Sequence, residues 1–171
     1  MDSKDINYTP ENIEEIISKQ FVRFIDTTPT GASRTWVVVG VGVEDGNANI
    51  DYNNDLDRVK WIIDKNARTK VNGSDKQMGV TQSSYKGDPC FEYVNTARDT
   101  TGIKTHILEV DTWDETATSG TYKAKMSDAT ILVETYAGNE VTWNLYFDGD
   151  PKDGTCVIAN GVPTFTANVS L

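Results

Sequence analysis

Trp36-Val37-Val38-Val39-Gly40-Val41-Gly42-Val43 is the stretch from which the fold is read. It is β-branched almost throughout, the composition of a pleated, half-buried surface rather than of a helix. Fourteen mostly polar residues follow, Glu44 to Asp57, with five acids, four asparagines and no base. The chain then turns apolar again at Val59-Lys60-Trp61-Ile62-Ile63, and more weakly over Met78-Gly79-Val80-Thr81-Gln82-Ser83-Ser84-Tyr85. Two strands of a hairpin need only about two to five residues between them, so a connection this long requires a reason. The expectation is that residues 44–57 are an extended docking loop between strands, ordered by another molecule, with the rest of the chain as its scaffold.

Outward from that stretch, the pattern stays extended. Residues 1–9 are polar and read as an N-terminal arm. Thr9, Pro10 and Glu11 form a helix start, and Ile13, Ile16, Ile17 and Phe21 recur at helical spacing, which predicts a short amphipathic helix over roughly 10–20. Phe21 to Ile25 reads as a first strand and Thr27 to Ser33 as a turn. Downstream, Asp88 can cap and Pro89 can open a short helix with Phe91 and Val94 inward. Thr105–Trp113, Tyr122–Met126 and Ala129–Tyr136 are further strands. In the clearest one, Val141, Trp143, Leu145 and Phe147 share one face, and Thr142, Asn144, Tyr146 and Asp148 the other. Gly149-Asp150-Pro151-Lys152-Asp153-Gly154 is expected to turn the chain back into Thr155–Ile158, and a last extended piece covers Thr164 to Val169. The expected fold is mainly β: a single domain over 1–171, an antiparallel sandwich or partial barrel with one or two short flanking helices and a long inter-strand loop. Its expected core includes Ile13, Ile16, Ile17, Trp36, Trp61, Trp143, Leu145 and Phe147.

Composition excludes several classes of function. The 171 residues are 37% hydrophobic and carry a net charge of −10, from 26 acids against 16 bases. A chain of that sign does not grip nucleic acid through counterion release, which needs clustered Lys and Arg. No apolar stretch approaches the ~18 residues of a membrane span, and Met1-Asp2-Ser3-Lys4-Asp5 is unlike a signal peptide. A cytosolic origin is expected, with departure only as part of something larger.

Nothing in the sequence marks a reaction centre. Cys90 and Cys156 lie far apart, and His106 is the single histidine, so no zinc spacing exists and two buried thiols are expected. Asp51-Tyr52-Asn53-Asn54-Asp55-Leu56-Asp57 starts like a calcium loop. It lacks the glycine at its sixth position (Leu56) and the glutamate at its twelfth (Ile62), so calcium is not expected. His106 has no nucleophile nearby in sequence and no GxSxG elbow occurs. Asp148, Asp150 and Asp153, set among glycines and Pro151, are turn formers. Gly40 and Gly42 imply close backbone approach rather than a phosphate loop. The expectation is a protein that is not an enzyme and takes no cofactor or metal.

The order of these pieces resembles the major tail tube proteins of long-tailed bacteriophages. The likeness lies in the series: the N-terminal amphipathic segment, the long polar loop between early strands, Gly87-Asp88-Pro89-Cys90-Phe91 opening a short helix, and a late hairpin followed by Asp148 to Gly154. It covers most of the chain. The resemblance implies a structural virion protein, two packed sheets with a flanking helix, that forms hexameric rings stacked into a tube through which DNA passes without specific binding. It further implies tail terminator, tape measure and distal tail proteins as partners, no membrane, and assembly in the host cytoplasm into the virion. On that reading the 44–57 loop reaches the neighbouring ring. Asp51, Asp55 and Asp57 would face basic groups there, with Arg58, Lys65, Arg68 and Lys70 the nearest candidates, and Ile50, Tyr52 and Leu56 would be the apolar anchors. Acidic walls suit a DNA conduit, because like charge prevents sticking. Other readings are the tube of a contractile tail-like bacteriocin or injection system, a capsid decoration or connector protein, and a carbohydrate-binding β-sandwich. Placing Trp36, Trp61 and Trp143 in apolar strand runs speaks against the last.

Overall fold

A computed structural model describes residues 14–168. Of the described residues 57% are in strands, with one α-helix and one antiparallel sheet of eight strands among them. In chain order the strands are β1 (Phe21–Asp26), β2 (Trp36–Val38), β3 (Ala48–Asp51), β4 (Asn54–Val59), β5 (Arg68–Ser74), β6 (Gln77–Ser83), β7 (Ile103–Glu115), β8 (Thr121–Tyr136), β9 (Glu140–Ala159) and β10 (Val162–Ala167), with helix α1 (Pro89–Asn95) after β6. The main sheet runs β2-β1-β7-β8-β9-β6-β3, and β10 pairs with β9; β4 and β5 form a separate two-stranded ribbon. The mainly β, antiparallel architecture with a short helix is as the sequence implied.

The sheet buries both of its faces because neighbouring residues of its central strands are both apolar. Register pairs Phe24 with Leu108 and Ile25 with Ile107. One core gathers Ile25, Met78, Val80, Ile107, Ile131, Val141, Trp143 and Leu145 with Cys90 and Val94 of α1, and Phe147 packs against it. The other gathers Phe24, Leu108, Val110, Ala124, Met126 and Cys156, with Trp36 and Phe165 packed on it. Strands β8 and β9 contribute to both cores, one from each half. Such long strands switch layers at a bulge rather than at a turn. Met126 pairs with Lys152 and Asp128 with Asp148, so Gly149, Asp150 and Pro151 face the single residue Ser127. The expected turn over Gly149–Gly154 is therefore a bulge within one strand, and the strands expected at Tyr122–Met126 and Ala129–Tyr136 are one. Their ladder carries the bend at no cost in pairing on either side.

Helix α1 starts where its sequence says. The Asp88 carboxylate accepts from the Cys90 and Phe91 amides at 3.2 and 3.1 Å, and Pro89 occupies the first turn. Both are the groups a helix start leaves without partners or cannot use. Cys90 and Val94 are buried. Asp88 also accepts from Gln82 Nε2 at 2.8 Å, and Gln82 Oε1 in turn accepts from Trp143 Nε1 at 3.3 Å, so the buried indole is hydrogen-bonded into the helix cap.

Other expectations require correction. The helix over 10–20 is absent from its described part: residues 14–17 are irregular and Ser18–Gln20 is a single 3-10 turn. Ile16 and Ile17 are exposed rather than core, and Ile13 lies outside the described residues, as do 1–9 and Val169. The strand that opens at Trp36 stops at Val38. Gly42 has φ +72, and a Cβ on it would lie 2.6 Å from the Ser83 carbonyl oxygen, so the glycine-rich half of the run is a turn pressed against β6. Residues 44–57 are not a loop. They hold β3, paired with β6 from Ala48↔Val80 to Asp51↔Gln77, and the first part of β4.

Candidate assembly interface

The β4–β5 ribbon projects from the sheet as a hairpin whose strand residues are all exposed. Its base is a pair of bonds: Asn53 Nδ2 donates to the Asp75 carbonyl at 3.0 Å, and the Asp75 amide to that of Asn53 at 3.3 Å. Beside the base the Lys76 ammonium bonds Glu109 at 2.6 Å and lies 4.0 Å from the Phe147 ring and 5.5 Å from that of Tyr52. That cluster ties the root of the hairpin to β7 and β9. Leu56 pairs across with Val71 beside a bulge, and Asp57 accepts from Asn72 Nδ2 at 2.9 Å.

The tip is apolar and ordered. Trp61 and Asp64 exchange bonds across the turn, the Trp61 carbonyl accepting at 2.9 Å and the Asp64 carboxylate at 3.3 Å. Arg68 bonds Asp64 at 3.0 Å and stacks its guanidinium 4.9 Å from the Trp61 ring. Ile62 is 103% exposed and Ile63 82%. Apolar side chains this bare, next to others on the same ribbon, form a candidate contact surface. Trp61, expected in the core, is 56% exposed at this tip.

Of the expected docking residues, Tyr52 and Leu56 are exposed, and Asp51 and Asp55 lie in β3 and β4 at the hairpin's root. Ile50 packs against the core from β3 and is no anchor. Arg58, Arg68 and Lys70 sit on the same ribbon as Asp55 and Asp57, with Lys65 at its tip, so these bases belong to the projecting element itself. Sequence reasoning missed the hairpin because its strands are polar on both faces. The polar-apolar-polar order of Asn54 to Ser74, with the apolar residues in the middle, is the signal that could have located it.

A second feature lies where the sheet ends. β2 and β3 are its two terminal strands, and a groove of about 710 Å³ opens between them, lined by β1 and β2 on one side and by residues 43–49 on the other.

The buried Asp26 is held by a network of polar groups. Asp26, wholly buried, accepts from the Thr28 and Thr35 amides at 2.9 and 3.1 Å and lies 2.9 Å from His106 Nδ1; Nε2 of the same ring lies 3.3 Å from Asp128. Thr105 Oγ1 donates to the Asp26 carbonyl at 2.8 Å. These contacts fasten the 27–35 loop to β7. Burial, and the Asp88 charge beside it, push the Cys90 thiol up to about 12, and burial also raises Cys156, so both are neutral thiols at ordinary pH. Among the described residues, no three His, Cys, Asp or Glu side chains gather as a metal would require, and no helix is long and apolar enough to cross a membrane. Comparison with protein-family models and with curated proteins finds no match.

Proposed function

We propose that this protein is a structural subunit that polymerises with copies of itself, as the tube subunit of a phage tail or related tail-like particle. In this reading hexameric rings stack into a conduit for DNA, and the subunit resides in the virion after assembly in the host cytoplasm. The observation that carries it is the β4–β5 hairpin, which projects with an exposed apolar tip and, among the described residues, is bonded to the rest of the chain at its root. A monomer gains little from such an arm, because Ile62 and Ile63 stay almost fully wet on folding and its other apolar residues about half so. A partner surface gives it a purpose. The unpaired edges of β2 and β3 point the same way, since open strand edges either pair with another chain or need protection. The negative net charge is compatible with DNA passing without adhering.

The carbohydrate-binding alternative has gained one point and lost another. Trp61 and Trp113 are exposed, so the tryptophans are not all core. Trp61 is stacked by Arg68, however, and Trp113 lies against Phe21 with ring centres 6.3 Å apart, each in a different element.

Negative-stain microscopy and analytical ultracentrifugation of concentrated protein test the proposal. Rings or open-ended tubes are expected. Monodisperse monomer at high concentration, in buffers where phage tails are stable, would overturn it.

A further inference from the structure

The groove between β2 and β3 has a shape and chemistry that match the hairpin tip. Val22, Val38, Val39, Val43 and Ala48 supply apolar lining among polar and charged neighbours, and its volume of about 710 Å³ falls within the ~300–1,000 Å³ of ligand-sized pockets. Both of its rims are terminal strands of the sheet, so backbone donors and acceptors stand ready on each side for an added strand.

We infer that this groove is the receptor for the β4–β5 hairpin tip of a second copy of the chain. The inference rests on the assembly reading above and names the acceptor within it. Three observations carry it. Ile62 and Ile63 at the tip are uncovered among the described residues and Trp61 is half-exposed, while the groove is open and offers apolar side chains among its charged ones. Charge is complementary: the hairpin has five bases (Arg58, Lys60, Lys65, Arg68, Lys70) against three acids (Asp55, Asp57, Asp64), in a chain of net charge −10. The groove's mouth presents Glu44 and Asp45, both exposed and neither in an ion pair among the described residues. The hairpin's Asp64 is already occupied by Arg68.

The third observation is a vacancy in bonding. Arg23 and Lys19 also line the groove, and they are its positive groups. Lys19 is exposed, but Arg23 Nε is buried and has no hydrogen-bond partner among the described residues. An unpaired buried donor is costly, about 1–3 kcal/mol, and a carbonyl of an incoming turn would satisfy it. The same chain's hairpin cannot supply that carbonyl as it stands. It springs from the end of β3, itself a wall of the groove, and its six-residue strand carries the tip ~20 Å onward. The contact is therefore between different surfaces of two copies, which is the arrangement that builds rings or filaments rather than closed dimers.

Cross-linking between chains tests this. One preparation carries Ile62→Cys, at the exposed tip, and another Val38→Cys, at the groove rim; native Cys90 and Cys156 are buried and do not compete. On mixing under mild oxidation, a dimer joined between positions 62 and 38 is expected, identified by mass spectrometry of the linked peptides. Its yield should fall severalfold with Glu44→Lys and Asp45→Lys together, and recover with Lys65→Glu on the partner. Links only between two copies of position 62, or none from position 62 to position 38 while rings or tubes form normally, would overturn the groove assignment and leave the assembly reading standing. A strong 62–38 link without rings or tubes would support the groove and sink the tube reading.

Discussion

Individual side chains in this protein do three separable jobs, and each gives a measurable outcome. Trp143 is wholly buried and hydrogen-bonded through Gln82 to the cap of α1. Trp143→Ala should cost about 3–5 kcal/mol in denaturant unfolding, because it leaves both a cavity and an unpaired amide oxygen. Gly154 is needed for a different reason. A Cβ there would collide with the Thr166 backbone carbonyl and come within 2.6 Å of the Phe165 ring, on the β10 strand paired alongside β9. Gly154→Ala should therefore destabilise by about 3 kcal/mol, the upper end for overpacking, since backbone cannot swing aside as a side chain can. Asp111 is a liability: burial raises its pKa, and the Glu109 charge adds to the rise against the opposing pull of Arg23 and Lys125. A carboxyl raised in the folded state contributes its stability below the unfolded pKa and loses it as pH rises through the folded one. Asp111→Asn should accordingly raise the melting temperature at neutral pH, and the gain should vanish below pH 3.8, the ordinary value for the group. A gain that persists in acid would mean that packing, not charge, is responsible.

Among the elements, the hairpin and β3 must be distinguished. Replacing residues 44–57 by a short turn looks harmless if they form a loop, but it would remove β3, four ladder pairs with β6 and the packing of Ala48 and Ile50 on the core. The excision that isolates the interface is residues 54–74, replaced by Asn-Gly between Asn53 and Asp75, which already face each other as the hairpin's base. That variant should keep the wild-type circular dichroism spectrum, less a small β contribution, and a melting temperature within a few degrees, because the removed strands are exposed throughout. It should form no tubes. Normal tubes from the folded variant would remove the hairpin from the assembly.

For the whole molecule, the question is whether two cores on opposite faces of one sheet unfold together. Each contains one thiol: Cys90 in the core under α1, and Cys156 in the other. Both are buried and held neutral, so neither reacts until its surroundings open. Strands β8 and β9 run through both cores and pair on both sides of the bulge, which couples the cores through shared backbone. Thiol labelling in rising denaturant should therefore show one midpoint for both cysteines. Two well-separated midpoints would mean that the cores are independent cooperative units and that the bulge at Gly149–Pro151 is a boundary.

By itself the sequence determined whatever depends on neighbours along the chain. Alternation fixed the buried face of Val141, Trp143 and Leu145, and Asp88-Pro89 fixed the start of α1, because strand pleat and helix caps are local geometry. The tertiary structure alone decided what depends on distant partners. Gly149 to Pro151 have the composition of a turn, yet pairing of β9 with β8 on both sides holds them in a strand. Asn49 to Asp51 look like loop, yet the open edge of β6 recruits them. Trp61 and Ile16 have the apolar character of core residues, but hydrophobicity states only that a side chain favours burial, not which surface buries it. For the hairpin tip no covering surface lies among the described residues, so a run that reads as core holds their most exposed large apolar side chain, Ile62.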